Sequence, residues 1–303
     1  MNSRTVFGLE IGRNNVRAVA GVASEGTVRL CGVGSSRVWG LNLDGSVEKI
    51  DSVVGSVRAA MMEVEEAAGV RAERVQLAIP GSLTRTTEVT TRVTLAGELA
   101  TPADLERASR GALADTDPEE HRLHVRLKEV SVCEGPHARH RPELSATFLV
   151  ISVAARALEA HSHCVALAGI EVDGVVPAPI AAAEASLSAG MMERGVMLAH
   201  LEGRLADVVV YRGGALQYVA SVPSSALASV VDLLGGVDAL PAGIVLTGEA
   251  APAADLAAEG SLASIPLRRD GAWSTVRADL AAGIGLLQRY LRREEARPVS
   301  LVG

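Results

Sequence analysis

Residues 195–222 read Gly195-Val-Met-Leu-Ala-His-Leu-Glu-Gly-Arg-Leu-Ala-Asp-Val-Val-Val-Tyr-Arg-Gly-Gly-Ala-Leu-Gln-Tyr-Val-Ala-Ser-Val222. Three apolar runs, Gly195 to Leu201, Ala206 to Tyr211 and Ala215 to Val222, are parted by short turns, one of them Arg212-Gly213-Gly214, so the stretch predicts a three-strand meander. The N-terminus has the same habit, with runs at 5–11, 16–22 and 27–33 punctuated by Gly12 and Glu25-Gly26. A helical pattern follows each meander. In the first half Val53, Val54, Val57, Ala60, Met61 and Val64 recur at helical spacing and stop before Gly69; in the second the helix spans Ser225 to Leu234. A strand closes each unit, Arg74 to Ile79 and Gly243 to Gly248. Two β-β-β-α units in one chain predict an α/β protein made by internal duplication.

Residues 82–168 have a different grain. Strand (Glu88 to Val93), helix (Thr101-Pro102 to Leu113), strand (Leu123 to Val132), loop (Cys133 to Leu144), strand (Ser145 to Val153) and helix (Ala154 to Ala168) follow in order. Thr101 as N-cap with Pro102 at the first helical position marks a helix start. This block reads as a small inserted α+β subdomain, which divides the chain into 1–81, 82–168 and 169–303. The last part adds a strand around Glu171 to Val176, an Ala-rich helix from Pro179 to Ala189, and a final helix from Trp273 to Arg293 that returns to the first unit.

With 303 residues the chain can bury a sizeable core. Aromatic residues are 2% of it, so Ala, Val and Leu must fill the interior. A formal charge of -7 argues against a general nucleic-acid binder. The first residues run straight into a strand broken by Glu10, so the expectation is an untargeted chain. Gly213 to Val231, the longest uncharged window, holds Pro223, Gln217 and four serines and is too polar to span a bilayer. Residues 294–303 lack the apolar stripe of an interfacial membrane helix. Three scattered cysteines, Cys31, Cys133 and Cys164, exclude a disulfide framework. The expected compartment is the cytoplasm.

Two clusters invite chemistry. His161-Ser162-His163-Cys164 and His137-Ala138-Arg139-His140 contain metal-type ligands, yet on a helix His161 and Cys164 share a face that His163 does not, and no nearby carboxylate completes the set. His200, Glu202 and Asp207 lie along one β-turn-β segment without a Ser or Cys nucleophile and supporting motif. Neither predicts an enzyme.

The order of a strand-loop-strand at the N-terminus, a second at mid-chain and a Leu-Thr-Gly strand end near the C-terminus resembles the phosphate-1, phosphate-2 and adenosine layout of the actin and Hsp70 ATPases. More closely, Gly8-Leu9-Glu10-Ile11-Gly12, Glu120-His121-Arg122-Leu123-His124-Val125, Tyr211-Arg212-Gly213-Gly214-Ala215-Leu216 and Ala242-Gly243-Ile244-Val245-Leu246-Thr247-Gly248 resemble the bacterial cell-division family FtsA. The resemblance implies an actin-like, ribonuclease H-like fold with the family's inserted interaction subdomain, an SHS2 domain. It also exposes departures. Arg13 stands after Gly12 where the family has a small hydroxyl, and Arg17 near its usual Lys. In the phosphate-2 segment only Gly203 and Asp207 match, with Arg204 where a glycine is usual. Gly248 is followed by Glu249 instead of a second Gly. From Pro223 to Gly243 there is space for one helix where the family inserts a whole subdomain, which forms a wall of its adenine cleft and docks the tail of the ring protein FtsZ. The resemblance therefore implies a non-catalytic scaffold, a pseudo-ATPase with a degenerate nucleotide site at Gly12, Arg13, Arg17, Gly203, Arg204, Asp207, Gly248 and Glu249, and no cofactor or metal. Its partners would be other divisome proteins or cytoplasmic tails of membrane proteins, with self-association as a further option. They would be met through Asp104, Arg107, Arg110, Arg139 and Arg141 on the insert, and would recruit the chain to the inner face of the membrane. The alternatives are a role like that of the pilus assembly protein PilM, and an ATP- and Mg²⁺-binding ATPase in which Arg13, Arg17 and Arg204 hold the phosphates.

Overall fold

In the computed structural model, which describes residues 4–24, 27–97, 99–114, 117, 119–133, 142–236, 239–248 and 278–295, the N-terminal meander is β1 (Arg4–Ile11), β2 (Asn15–Ser24) and β3 (Thr27–Arg37). Strand β1 is buried from Val6 to Ile11. It pairs antiparallel with β2 and parallel with β4 (Arg74–Ile79). A strand covered on both faces needs no polar alternation, hence its near-continuous apolar run. The five-stranded sheet has the order β3-β2-β1-β4-β8, with β8 at Glu171–Pro177. Helix α1 (Ile50–Ala68) buries on this sheet all six apolar residues of the predicted stripe and ends at Gly69, whose φ of 70° suits glycine and whose N–H caps the Glu65 carbonyl.

The second unit repeats the plan. Strands β9 (Val196–Glu202), β10 (Leu205–Arg212), β11 (Ala215–Pro223) and β12 (Ile244–Gly248) form a sheet ordered β11-β10-β9-β12, and β12 runs parallel to β9 as β4 does to β1. The repeated strand order is the form that the expected duplication takes. Between β11 and β12 the described residues hold a 3-10 turn and one short helix, Leu227–Leu233, with no further subdomain.

The insert is a three-stranded antiparallel sheet, β5 (Thr84–Thr94), β7 (Glu143–Ala154) and β6 (Glu120–Cys133), in the order β5-β7-β6. Helix α2 (Pro102–Ala114) covers one face, burying Ala108 and Ala112 against Leu144, Ala146 and Phe148. Two boundaries move from those expected. Helix α3 (Ala155–Leu167), read as the end of the insert, sinks Cys164 and Val165 into the core of the first unit, and β8 pairs with β4 in the first sheet, so that unit resumes at 155 and runs to 177. Helical periodicity shows which face is apolar but not which sheet receives it.

Two helices join the units. Helix α4 (Ala178–Ser186) buries most of its residues, and α5 (Ala281–Glu295) packs against it. The latter sets Ile284 and Leu287 on Val6 and Val19 of the first sheet, while its Ala282 and Leu286 enter the cluster that holds α4 and the second sheet. A Cβ on Gly285 would stand 1.8 Å from the Ala181 carbonyl oxygen, so this crossing needs glycine, and the low aromatic content suits so close an approach. The insert is tied to the same helices: Arg289 Nη2 donates to His124 Nδ1 at 3.2 Å while its Nη1 bonds Glu184 at 3.1 Å. Burial, with the charges of Arg126 and Arg289, pushes the His124 pKa down to about 3, which keeps the ring neutral and able to accept. No helix among the described residues is long and apolar enough to cross a membrane.

Candidate functional site

The carboxyl ends of β1 and β9, the strands that lead into the two phosphate-type loops, meet between the units. Gly12 ends the first; a Cβ there would lie 2.2 Å from Glu202 Oε1, so glycine is required because a side chain of the opposite unit fills the space. The Arg13 N–H donates to Glu202 Oε2 at 3.0 Å, and Arg13 Nη1 donates to Ser82 Oγ at 2.9 Å and lies 3.2 Å from Asp207 Oδ1. Asp207 in turn accepts the Gly81 N–H at 2.8 Å. One strand across, Arg17 Nη1 donates to Glu202 Oε1 at 2.9 Å and stands 3.6 Å from Glu10 Oε2, with its Nε 3.9 Å from Asp279 at the rim.

Glu10 completes the chain of contacts. Its Oε1 lies 3.1 Å from His200 Nε2, and the other ring nitrogen is 2.9 Å from Thr247 Oγ1. Glu10, His200 and Asp207 are fully buried, and Arg17 and Glu202 nearly so. Burial alone would depress the His200 pKa, but the hydrogen bond to Glu10 and the charges of Glu10, Glu202 and Asp207 outweigh it, and the pKa is raised. Burial likewise pushes the Glu10 carboxyl up, yet the His200 hydrogen bond and the Arg17 charge hold it below its ordinary value. His200, Arg13 and Arg17 thus stand against Glu10, Glu202 and Asp207, and the carboxylates around His200 favour its charged form. Arg13 Nε and Nη2 and Glu10 Oε2 remain buried without a hydrogen bond, so the network is held partly by charge alone.

These residues do not fit the phosphates of a nucleotide and their metal. Glu202 lies over Gly12, and both arginines are already paired with carboxylates. Glu10, His200 and Glu202 do gather three ligand atoms within 4.8 Å of one another, but the cation among them is the Arg17 guanidinium.

The other sequence candidates fall apart spatially. Arg204 is exposed in the β9–β10 turn beside Gly203 (φ 61°), a turn that lies against Asn14, and its carbonyl accepts the Ser224 N–H at 2.9 Å. Gly248 has a φ of 86° and its Cβ would meet the Leu201 carbonyl oxygen at 2.2 Å, so it serves strand packing; Glu249 lies outside the described residues. Asp104 is buried, not a partner surface: its carboxylate takes the Thr101 N–H at 2.9 Å, a capping box for α2. Arg107 and Arg110 are exposed, Arg107 Nη2 bonding the Thr94 carbonyl, while Arg139 and Arg141 lie outside the described residues. His161 is a core residue whose Nδ1 sits 2.8 Å from the Ala157 carbonyl oxygen of its own helix. Sequence reasoning missed Glu10 and Thr247 as members of the site and, having grouped His200 with Glu202 and Asp207, did not join them to Arg13 and Arg17. The signal available was charge: the departures at the first loop are cations and Glu202 at the second is an anion.

Comparison with known proteins agrees with the geometry. The chain is 28% identical to the cell division protein FtsA of Pseudomonas aeruginosa over 229 residues, 73% of this chain and 55% of that one. It is 29% identical to FtsA of Escherichia coli over 231 residues, 73% of this chain and 54% of that one. The chain is similar to FtsA and has the actin-like fold. This FtsA-like chain spans about half the length of the curated relatives it matches, and no protein-family profile matches it. Among solved structures, a chain of the PilM-PilN type IV pilus biogenesis complex superposes with a TM-score of 0.61 at 16% identity, covering 94% of this chain and 98% of that one.

Proposed function

We propose that this FtsA-like chain is a non-catalytic scaffold of bacterial cell division, a pseudo-ATPase that works through protein contacts and takes neither ATP nor Mg²⁺. One observation carries the reading: the residues that depart from the ATPase pattern at the two phosphate loops are bonded to one another across the cleft. A ligand there would have to separate Arg13 and Arg17 from Glu202, leaving buried charges unpaired, which costs several kcal/mol before any binding energy is gained. The single helix between β11 and β12 leaves the adenine side without the wall that the resemblance assigns to it. Partners are divisome proteins or cytoplasmic tails of membrane proteins, met on the insert around Arg107 and Arg110, with the chain in the cytoplasm and drawn to the membrane by them. Division is preferred over pilus assembly because the sequence relatives are FtsA proteins, whereas the pilus protein shares the fold alone.

Calorimetry and thermal shift with ATP and Mg²⁺ test the cleft. A ligand at 100 times its Kd adds about 2.7 kcal/mol, so a clear rise in Tm at millimolar ATP overturns the pseudo-ATPase reading. A fluorescent fusion expressed in the source cells tests the process: accumulation at the division site is expected, and polar foci that follow the pilus machinery would favour the PilM-like role.

A further inference from the structure

The geometry points to the outer edge of β6 as a self-pairing surface, through which two copies of this chain join β6 to β6 antiparallel over residues 125–132 and merge their inserts into one six-stranded sheet. This rests on the insert alone and not on the nucleotide reading. With the order β5-β7-β6, one side of β6 carries no strand among the described residues. Such an edge offers a row of backbone donors and acceptors to another strand. Its second half is also apolar and open: Val130 is 48% exposed and Val132 51%. Both lie across from Ala146 and Leu144 of β7, which are buried under α2, so both face the helix side of the sheet. There α2 lies over β5 and β7 and leaves them uncovered.

The occupant is set by how the strand's pattern complements itself. The pairing with β7 slips between Leu127 and Glu129, so Lys128 is an extra residue. It turns to the face opposite α2, where its Nζ meets Glu88 Oε1 at 2.5 Å. Glu129 shares that face, being opposite Thr147, whose hydroxyl bonds Thr90 there. The helix-side residues are thus 125 and 127 before the bulge and 130 and 132 after it. A two-fold axis between Lys128 and Glu129 sets Lys128 opposite the second copy's Glu129, Leu127 opposite Val130, Val125 opposite Val132 and Arg126 opposite Ser131. Every pair then shares a face, and the central charges are opposite. Centring the axis on Lys128 or on Glu129 instead puts like charges together and sets an apolar residue against a charged one. A closed two-fold interface uses one surface twice, and among these three centrings only the first matches the strand to itself over 125–132.

Sedimentation of the intact chain over a wide concentration range tests it. A reversible monomer–dimer equilibrium is expected. Glu129→Lys, which places lysine opposite lysine twice per dimer, should raise the dimer Kd about tenfold. Adding Lys128→Glu re-creates opposite pairs and should bring Kd back toward the parent value, a rescue that mere damage to the strand would not give. Val130→Lys should abolish the dimer with Tm unchanged; if that variant misfolds, Val130→Ala weakening the dimer serves the same purpose. A chain monomeric at every concentration, or a dimer indifferent to Glu129→Lys, overturns the proposal.

Discussion

Glu202 is the keystone of the joint, and Glu202→Ala should cost the protein more than any substitution in the exposed turn beside it. Its carboxylate accepts the Arg13 N–H at 3.0 Å and the Arg17 Nη1 at 2.9 Å and lies 3.8 Å from Arg13 Nε. Deleting it leaves two buried guanidiniums to share what remains. Arg17 keeps Glu10 at 3.6 Å and the rim Asp279 at 3.9 Å, and Arg13 keeps Asp207. Removing one partner of a buried ion pair costs about 3–5 kcal/mol. With an unfolding entropy of about 2.1 cal/mol/K per residue over 303 residues, that is a fall in Tm of about 5–8 °C if the chain unfolds as one unit. Arg204→Ala, two residues on and exposed, should stay within about 0.5 kcal/mol. Replacing both partners, Arg17→Met with Glu202→Leu, should recover part of the loss, with a coupling of about 0.5–3 kcal/mol in a double-mutant cycle read by calorimetry. Glu202→Ala melting within a degree of the parent, or strictly additive single effects, would refute the idea that these charges hold the units together.

Three further outcomes follow from the same contacts. Because the His200 pKa is raised above its ordinary 6.5 and that of Glu10 is lowered below 4.5, their pair stabilises fully between those values; the histidine part fades as pH rises through its folded pKa and the carboxylate part as pH falls through its own, so Tm should decline on the alkaline side, and His200→Asn should flatten that decline. His124 has the opposite sign: its folded pKa of about 3 means that stability is lost as pH drops below 6.5, and limited proteolysis in mild acid should release the insert first in the parent but not in a His124→Gln variant, whose amide can still accept from Arg289. Rebuilding a glycine loop with His200→Asp, Glu202→Gly and Arg204→Gly should give no phosphate release above the parent, since Arg13 keeps Asp207 and no subdomain supplies the adenine wall; measurable turnover would show that these substitutions alone had silenced the site.

Much of the fold could be read from short-range pattern. The α1 stripe, the two meanders and the closing strands β4 and β12 are set by residues within a few positions of one another, and they occur where periodicity and glycine put them. Thr101 was legible as a cap, and the Thr101-x-x-Asp104 spacing held the further information that Asp104 belongs to that cap. What could not be read was long-range partnership. Arg17 and Glu202 are 185 positions apart and His200 and Glu10 190 apart, so no local window joins them. The destination of α3 was hidden for the same reason.

The pairing itself distinguishes a rebuilt joint from a decayed site. A cleft that had only lost its nucleotide would hold substitutions indifferent to one another, and a buried charge among them would be left to solvent or force the units apart, because an unpaired ion in a dry interior costs several kcal/mol. Here the cation after Gly12 reaches Asp207 and Glu202, the cation on β2 reaches Glu10 and Glu202, and the histidine on β9 bridges Glu10 to Thr247. Each group has more than one partner, so removing any one weakens the pairing of two others. The contacts cross from one unit to the other at the place where, in an actin-like ATPase, the phosphates would lie between them, so charged side chains supply the bridge that a ligand would otherwise have made. Ion pairs of this kind add little net stability over an apolar joint of the same shape, but they fix one relative orientation of the two units. The scaffold role proposed above calls for that fixed orientation, and the second anchor from Arg289 to His124 and Glu184 extends it to the insert itself.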